Sequence, residues 1–240
     1  PQFNSTMETY QKVLDNAMTD INTGALDYNT VVKRAIKELT DSGLRTVDYA
    51  SGRKINVASA VRTAVMAGVT QVTGKINDMN AGALGTDFFE VSWHATARPT
   101  HQLWQGRVYS RKELVDICGL GTVTGLLGAN CYHGYSPFVK GISVRTYTDA
   151  QLDEMNAKEN TLKGYRGKNF TSYEATQRQR LMENLMRKQG QAIRLMKQGS
   201  VDQEAITAAQ SKYRSLMQQY VDFSKKMGLP QQMQRVYGVN

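Results

Sequence analysis

The stretch Val91–Ser110, VSWHATARPTHQLWQGRVYS, followed at Gly125–Ser143 by GLLGANCYHGYSPFVKGIS, decides how the rest of the chain is read. All three histidines (His94, His101, His133), both cysteines (Cys118, Cys131) and both tryptophans (Trp93, Trp104) lie between Val91 and Ser143. Phe88, Phe89, Val91 and Trp93 predict a strand that runs into His94. Pro99 suits the first position of a short helical turn carrying His101 and Trp104. Val108 and Tyr109 predict the next strand, and Arg111–Cys118 a short helix. The glycines at 119, 121, 125 and 128 then write a jointed loop, with extended segments expected at Asn130–His133 and Ile142–Tyr147. The centre is therefore a small mixed α/β unit with a short sheet.

Outward from this centre the periodicity is helical. Toward the N-terminus, Met7, Tyr10, Val13, Leu14 and Met18 recur at helical intervals, and Ser5 with Glu8 has capping-box spacing. A second helix is expected from about Asn29 to Ser42, stopped by Gly43, and the two should pack as a hairpin. Leu44–Tyr49 is a short β candidate, and Ser51-Gly52-Arg53 a turn. Asn56 is placed to cap a helix over Val57–Met79 with a broad apolar stripe. Asn80–Gly85 reads as a turn-rich break. Toward the C-terminus, a short helix is expected over Asp149–Glu159, then a basic, glycine-broken loop at Lys163–Lys168. Thr171 and Glu174 have capping-box spacing at the head of a helix reaching about Gln198. Its apolar face (Met182, Leu185, Met186, Ile193, Met196) is narrow and needs a cover. Gly199-Ser200 turns the chain into a last helix, about Asp202–Met227, ended by Gly228 and Pro230. Two long helices on a short turn predict an antiparallel hairpin arm.

The fold class expected is thus α+β, in three segments: an N-terminal helical region (1–86), the central α+β motif region (87–147) and a basic helical arm (148–240). No apolar run approaches the roughly 20 residues that cross a bilayer, so no membrane association is expected. No basic start followed by an apolar stretch marks a signal peptide, and Pro1 in place of an initiator methionine predicts a longer product. Two cysteines make no disulfide framework and suit a reducing bacterial cytoplasm. The net charge of +9 is uneven: residues 159–240 hold 14 Lys/Arg against 6 Asp/Glu, a net +8. Such a segment can face duplex DNA or an acidic protein surface, or be a solvated helix surface.

Three chemistries fit the central residues. His94, His101, Cys131 and His133 are ligand types suited to zinc, although H-x6-H followed far downstream by C-x-H is not a standard finger spacing. The same histidines can instead donate to backbone carbonyls under Trp93, Trp104 and Tyr132, holding a loop-rich region together. Or Cys131 with His133 or His101, oriented by Asn130 or Gln105, contains the residue types of a cysteine nucleophile system; paired histidines with Arg98 could cleave a phosphodiester. Gly119–Gly125 lacks the lysine and serine/threonine of a P-loop, so nucleotide binding is not supported.

The ordered strings His94-Ala95-Thr96-Ala97-Arg98-Pro99-Thr100-His101, Trp104-Gln105-Gly106-Arg107-Val108-Tyr109-Ser110 and Gly128-Ala129-Asn130-Cys131-Tyr132-His133 closely resemble the phage minor capsid protein 2 family of tailed phages and prophages. Ser51-Gly52-Arg53, Ala60-Val61-Arg62-Thr63 and Gln177-Arg178-Gln179-Arg180-Leu181-Met182-Glu183 extend the likeness over essentially the whole chain. One departure is Tyr132, where a basic residue is expected. The resemblance implies a minor structural protein of the phage head, made in the host cytoplasm and carried in the virion, with portal and capsid proteins as partners. It gives Arg98, Trp104, Gln105, Gly106 and Asn130 the place of a motif core. The alternative, from another class, is a phage-delivered enzyme or toxin-like effector, a metal-dependent hydrolase or nuclease using the His/Cys cluster.

Overall fold

In the computed structural model, which describes residues 6–49 and 52–237, the N-terminal helices form because each presents one apolar stripe and has a partner for it. Helices α1 (Thr6–Asn22) and α2 (Tyr28–Asp41) pack on each other and on the first half of α3 (Val57–Ala83). Their shared core contains Val13, Val31, Val32, Leu39, Val57, Val61 and Val65. Each fully buried valine or leucine there contributes about 1.5–3 kcal/mol relative to an exposed position. Asp27 caps α2 by accepting from the backbone N–H of Asn29 and Thr30, and Asn56 caps α3 by accepting from that of Ala58. The capping role expected of Ser5 lies outside the described residues, as does Ser51 of the expected turn. Gly52, at φ +77°, donates its N–H to Tyr49 O at 2.8 Å and closes that turn between β1 (Thr46–Asp48) and β2 (Lys54–Asn56). The second strand of this antiparallel hairpin was not expected.

The break expected at Asn80–Gly85 comes later, since α3 runs on to Ala83. Ala81 is buried in the central core with Phe89 and Val91, and that packing keeps the last turn helical.

The central sheet has the order β4 (Val108–Ser110), β3 (Phe88–Val91), β5 (Tyr135–Pro137), all antiparallel. Phe89, Val91, Tyr109 and Tyr135 are its buried residues, with Phe89 and Tyr135 edge to face at 5.2 Å. A polar clamp fixes the sheet to α3. Tyr135 Oη donates to Asp78 Oδ1 at 2.9 Å, Arg111 bonds the same carboxylate oxygen at 2.9 Å, and Asn77 donates to Tyr135 O at 2.6 Å. Burial and the Asp78 carboxylate push the Tyr135 hydroxyl above its ordinary pKa, the guanidinium of Arg111 opposing them. Strands or extended segments were expected at Asn130–His133 and Ile142–Tyr147, and the third strand is Tyr135–Pro137. A proline ladder position is tolerated at this edge. Ile142 and Val144 are exposed, with no sheet beneath them to give alternation a purpose.

Packing divides the chain into two compact units: the described residues up to His94 with Thr100–Asp149, and Ala95–Pro99 with the described residues from Ala150 onward. The second contains most of α6 (Asp149–Glu159), then β6 (Lys163–Tyr165) and β7 (Lys168–Phe170), a hairpin where a loop was expected. Arg166 and Gly167 both have positive φ, 47° and 76°, the signature of a two-residue turn whose twist matches its strands. Helices α7 (Ser172–Gln198) and α8 (Gln203–Met227) pair along their length, as the sequence predicts. Thr171 and Glu174 form the capping box, and Gly228 ends α8 at φ +71°. Met182 and Met186 are covered by Tyr220, Phe223 and Met227, with a short α9 (Met233–Tyr237) adding Val236. Leu185 of the narrow face stays partly exposed, at 41%.

Candidate functional site

Antiparallel pairing of β3 with β5 brings distant histidines together. Val91 stands opposite Tyr135, and the pairing continues past the strands: Ser92 N–H donates to Gly134 O at 2.9 Å, and Gly134 N–H to Ser92 Oγ at 3.0 Å. His94 and His133 are therefore carried to one end of the sheet, with ring centroids 5.0 Å apart and edge to face. Cys131 lies two residues before His133, the spacing that puts side chains on one side of an extended segment. The third element is α4 (Pro99–Gln102), opened by Pro99 as expected, which supplies His101. Trp104 packs over both imidazoles, its ring 4.4 Å from that of His101 and 4.9 Å from that of His133.

Of the four residues read as a zinc set, three converge. His101 Nδ1 and His133 Nδ1 are 3.4 Å apart, and Cys131 Sγ lies 3.8 Å from the first and 3.6 Å from the second. All three are buried, at 2%, 3% and 3% exposure for His101, Cys131 and His133. Among the described residues this is the one cluster of three or more such side chains with metal-ligand proximity. His94 stands beside it: its Nε2 is 3.0 Å from Ser92 Oγ, and burial holds its pKa below the ordinary histidine value.

The outer nitrogens of the two central rings are held by carbonyl oxygens. His101 Nε2 bonds Thr124 O at 2.9 Å, and His133 Nε2 bonds Gln105 Oε1 at 2.9 Å. Gln105 is itself buried, and its Oε1 also accepts the His94 backbone N–H at 3.0 Å. Since Oε1 takes a donor that can only be an N–H, the amide orientation is fixed. Thr124 reaches His101 because the glycine loop is tightly wound. A Cβ on Gly125 would lie 2.1 Å from Gly119 O, and one on Gly128 2.5 Å from Val123 O. These glycines serve close backbone approach, with no phosphate needed to explain them.

The remaining motif residues have backbone or packing roles. Gly106 and Asn130 take left-handed conformations, φ 73° and 55°, which glycine and asparagine best tolerate. Asn130 is exposed, and its Oδ1 accepts from Thr63 Oγ1 at 3.4 Å. Arg98 is half-buried in Ala95–Pro99, the strip that packs with the second unit, and is not one of the converging ligand types. Tyr132 is half-exposed. Cys118 sits in the central core with Leu114 and Leu126, where burial pushes its thiol up to about 12. Sequence reading missed Ser92 and Thr124. Ser92 is signalled only by its place two residues before His94, and the Thr124 contribution is a main-chain oxygen, which residue identity does not reveal.

What this arrangement defines is a buried knot of imidazoles, thiol, amide and indole at the end of a small sheet, in an α+β protein with a helical arm. The chain belongs to the phage minor capsid protein 2 family, whose model matches residues 2–225. No curated protein and no solved structure matches it. Family membership gives the chain a structural role in a phage capsid. No described helix is long and apolar enough to cross a membrane.

Proposed function

We propose that this chain is a minor structural protein of a tailed-phage head that contacts the portal and capsid proteins, and whose basic arm faces duplex DNA during assembly and ejection. The family match along nearly the whole chain carries the reading. The arm supports its DNA side. Among the six carboxylates of residues 159–240, Glu183 is buried between the long helices, while Glu174 and Asp202 cap helices at the surface. Arg178, Lys188, Arg194, Lys197, Lys212 and Arg214 are exposed, so the arm presents cations to its surroundings. Exposed cations without a groove-reading motif suit phosphate contact independent of sequence.

The buried position of His101, Cys131 and His133 supports a holding task for the motif over a catalytic one, because a polymeric substrate needs access to the sulfur or an imidazole. The test is duplex-DNA binding of the purified protein over a salt series. Binding that is indifferent to sequence and weakens linearly in log salt is expected. Undetectable binding at low salt would make the arm a protein-contacting element, and capture of purified portal by the protein would then decide its partner.

A further inference from the structure

Three side-chain atoms from two distant chain segments meet inside the first unit at the separations of a metal coordination shell. Zinc binds imidazole nitrogen at about 2.0–2.1 Å and thiolate sulfur at about 2.3 Å in tetrahedral geometry, which sets N···N edges of about 3.3–3.4 Å and N···S edges of about 3.5–3.6 Å. The observed edges are 3.4 Å between His101 Nδ1 and His133 Nδ1, and 3.6 and 3.8 Å from Cys131 Sγ to them. All three match within about 0.3 Å.

Protonation is dictated from outside the trio. A carbonyl oxygen can only accept, so Thr124 O requires the proton of His101 on Nε2, and Gln105 Oε1 requires that of His133 on Nε2. In the neutral rings both Nδ1 atoms then carry lone pairs, turned toward each other and toward the thiol. Carbonyl oxygens on the far nitrogens are also the outer contacts that orient metal-bound imidazoles and raise their basicity. Two imidazoles with one thiolate form a borderline-soft set, which favours zinc over magnesium or calcium.

We propose that His101 Nδ1, Cys131 Sγ and His133 Nδ1 are protein ligands of a zinc ion. On binding, the S–H bond breaks, the sulfur electron pair goes to the metal and the proton leaves to solvent; no oxidation state changes. A water or another small donor completes the shell. The ion fastens α4 to the segment between the glycine loop and β5, a region with few ladder hydrogen bonds of its own. His94 is outside the set, its Nε2 engaged with Ser92 Oγ.

The experiment uses the whole chain. Protein from zinc-supplemented culture, dialysed against metal-free buffer, is assayed for metal, then stripped and titrated with cobalt. About one zinc per chain is expected, with cobalt giving a thiolate-to-metal charge-transfer band that Cys131→Ser abolishes and Cys118→Ser keeps. Absence of both zinc and the band in the wild type overturns the proposal, as does a band that survives Cys131→Ser. Should Cys131→Ser not fold, cadmium NMR of the substituted wild type decides without any variant. A resonance position for one sulfur and two nitrogens supports the site, and one for oxygen donors alone overturns it.

Discussion

Replacing Gln105 with leucine removes an acceptor that two donors share, while leaving the volume of the side chain nearly unchanged. His133 Nε2–H, in a ring 3% exposed, loses its 2.9 Å bond, and the half-buried His94 N–H loses its 3.0 Å bond. A fully buried donor left unsatisfied costs about 1–3 kcal/mol, and the half-buried one, which water reaches in part, about 1 kcal/mol. Gln105→Leu should therefore destabilise the first unit by about 2–4 kcal/mol, lowering its thermal midpoint by roughly 5–15 °C for a unit of this size. Gln105→Glu offers an oxygen to both donors, and charge-assisted bonds offset the burial of its carboxylate, so its loss should be smaller than that of leucine. The assay is equilibrium urea unfolding followed by tryptophan fluorescence, with Trp104 packed on the two imidazoles as the reporter. A Gln105→Leu variant within about 0.5 kcal/mol of wild type, or a glutamate variant worse than leucine, would refute the idea that this amide organises the knot.

Gly125→Ala should cost roughly 3 kcal/mol, at the upper end of overpacking penalties, because its Cβ would meet the Gly119 carbonyl. Gly134→Ala, which meets nothing within 4 Å, should leave the unfolding midpoint nearly unchanged. Burial raises the Glu183 pKa above 4.5 in the folded arm, the nearby arginines opposing it. The folded state therefore holds this proton to higher pH than the unfolded chain does. Stability from this group is full below 4.5 and declines as pH rises through the folded pKa. Glu183→Gln, which can still accept from Tyr220 Oη, should flatten that decline in urea midpoints measured across the same range. The Cys118 thiol, pushed to about 12 by burial, should resist iodoacetamide in the native protein at mildly alkaline pH and react once the chain is unfolded in urea. Labelling at the same rate in both states would contradict its core placement.

The parts of the fold legible in the sequence are those with local causes. Asn56, the Thr171 and Glu174 pair, Pro99 and Gly228 each act within one helical turn, and the structure places every one where its chemistry predicts. The α7 and α8 pairing follows from two apolar stripes joined by two turn residues. Where the reading failed, the cause was distant. Ala81 keeps α3 helical through Phe89 and Val91, and the third strand begins at Tyr135, past the expected Asn130–His133 segment, because the Tyr135 ring and hydroxyl are anchored by Phe89 and Asp78. The hairpin over Lys163–Phe170 rests on two consecutive positive φ values at Arg166 and Gly167, and arginine in that position carries no turn signal. At the candidate site, residue types singled out His101, Cys131 and His133. Spacing alone could not separate them from His94, since sheet register and the winding of the glycine loop make that distinction.

The central claim, a structural place in the phage head, is tested most directly by quantitative mass spectrometry of gradient-purified, DNA-filled particles alongside purified tails. The account predicts peptides of this chain in the particles, at low copy relative to the major capsid protein, and none in the tails. Particles of full infectivity that lack the chain would contradict it.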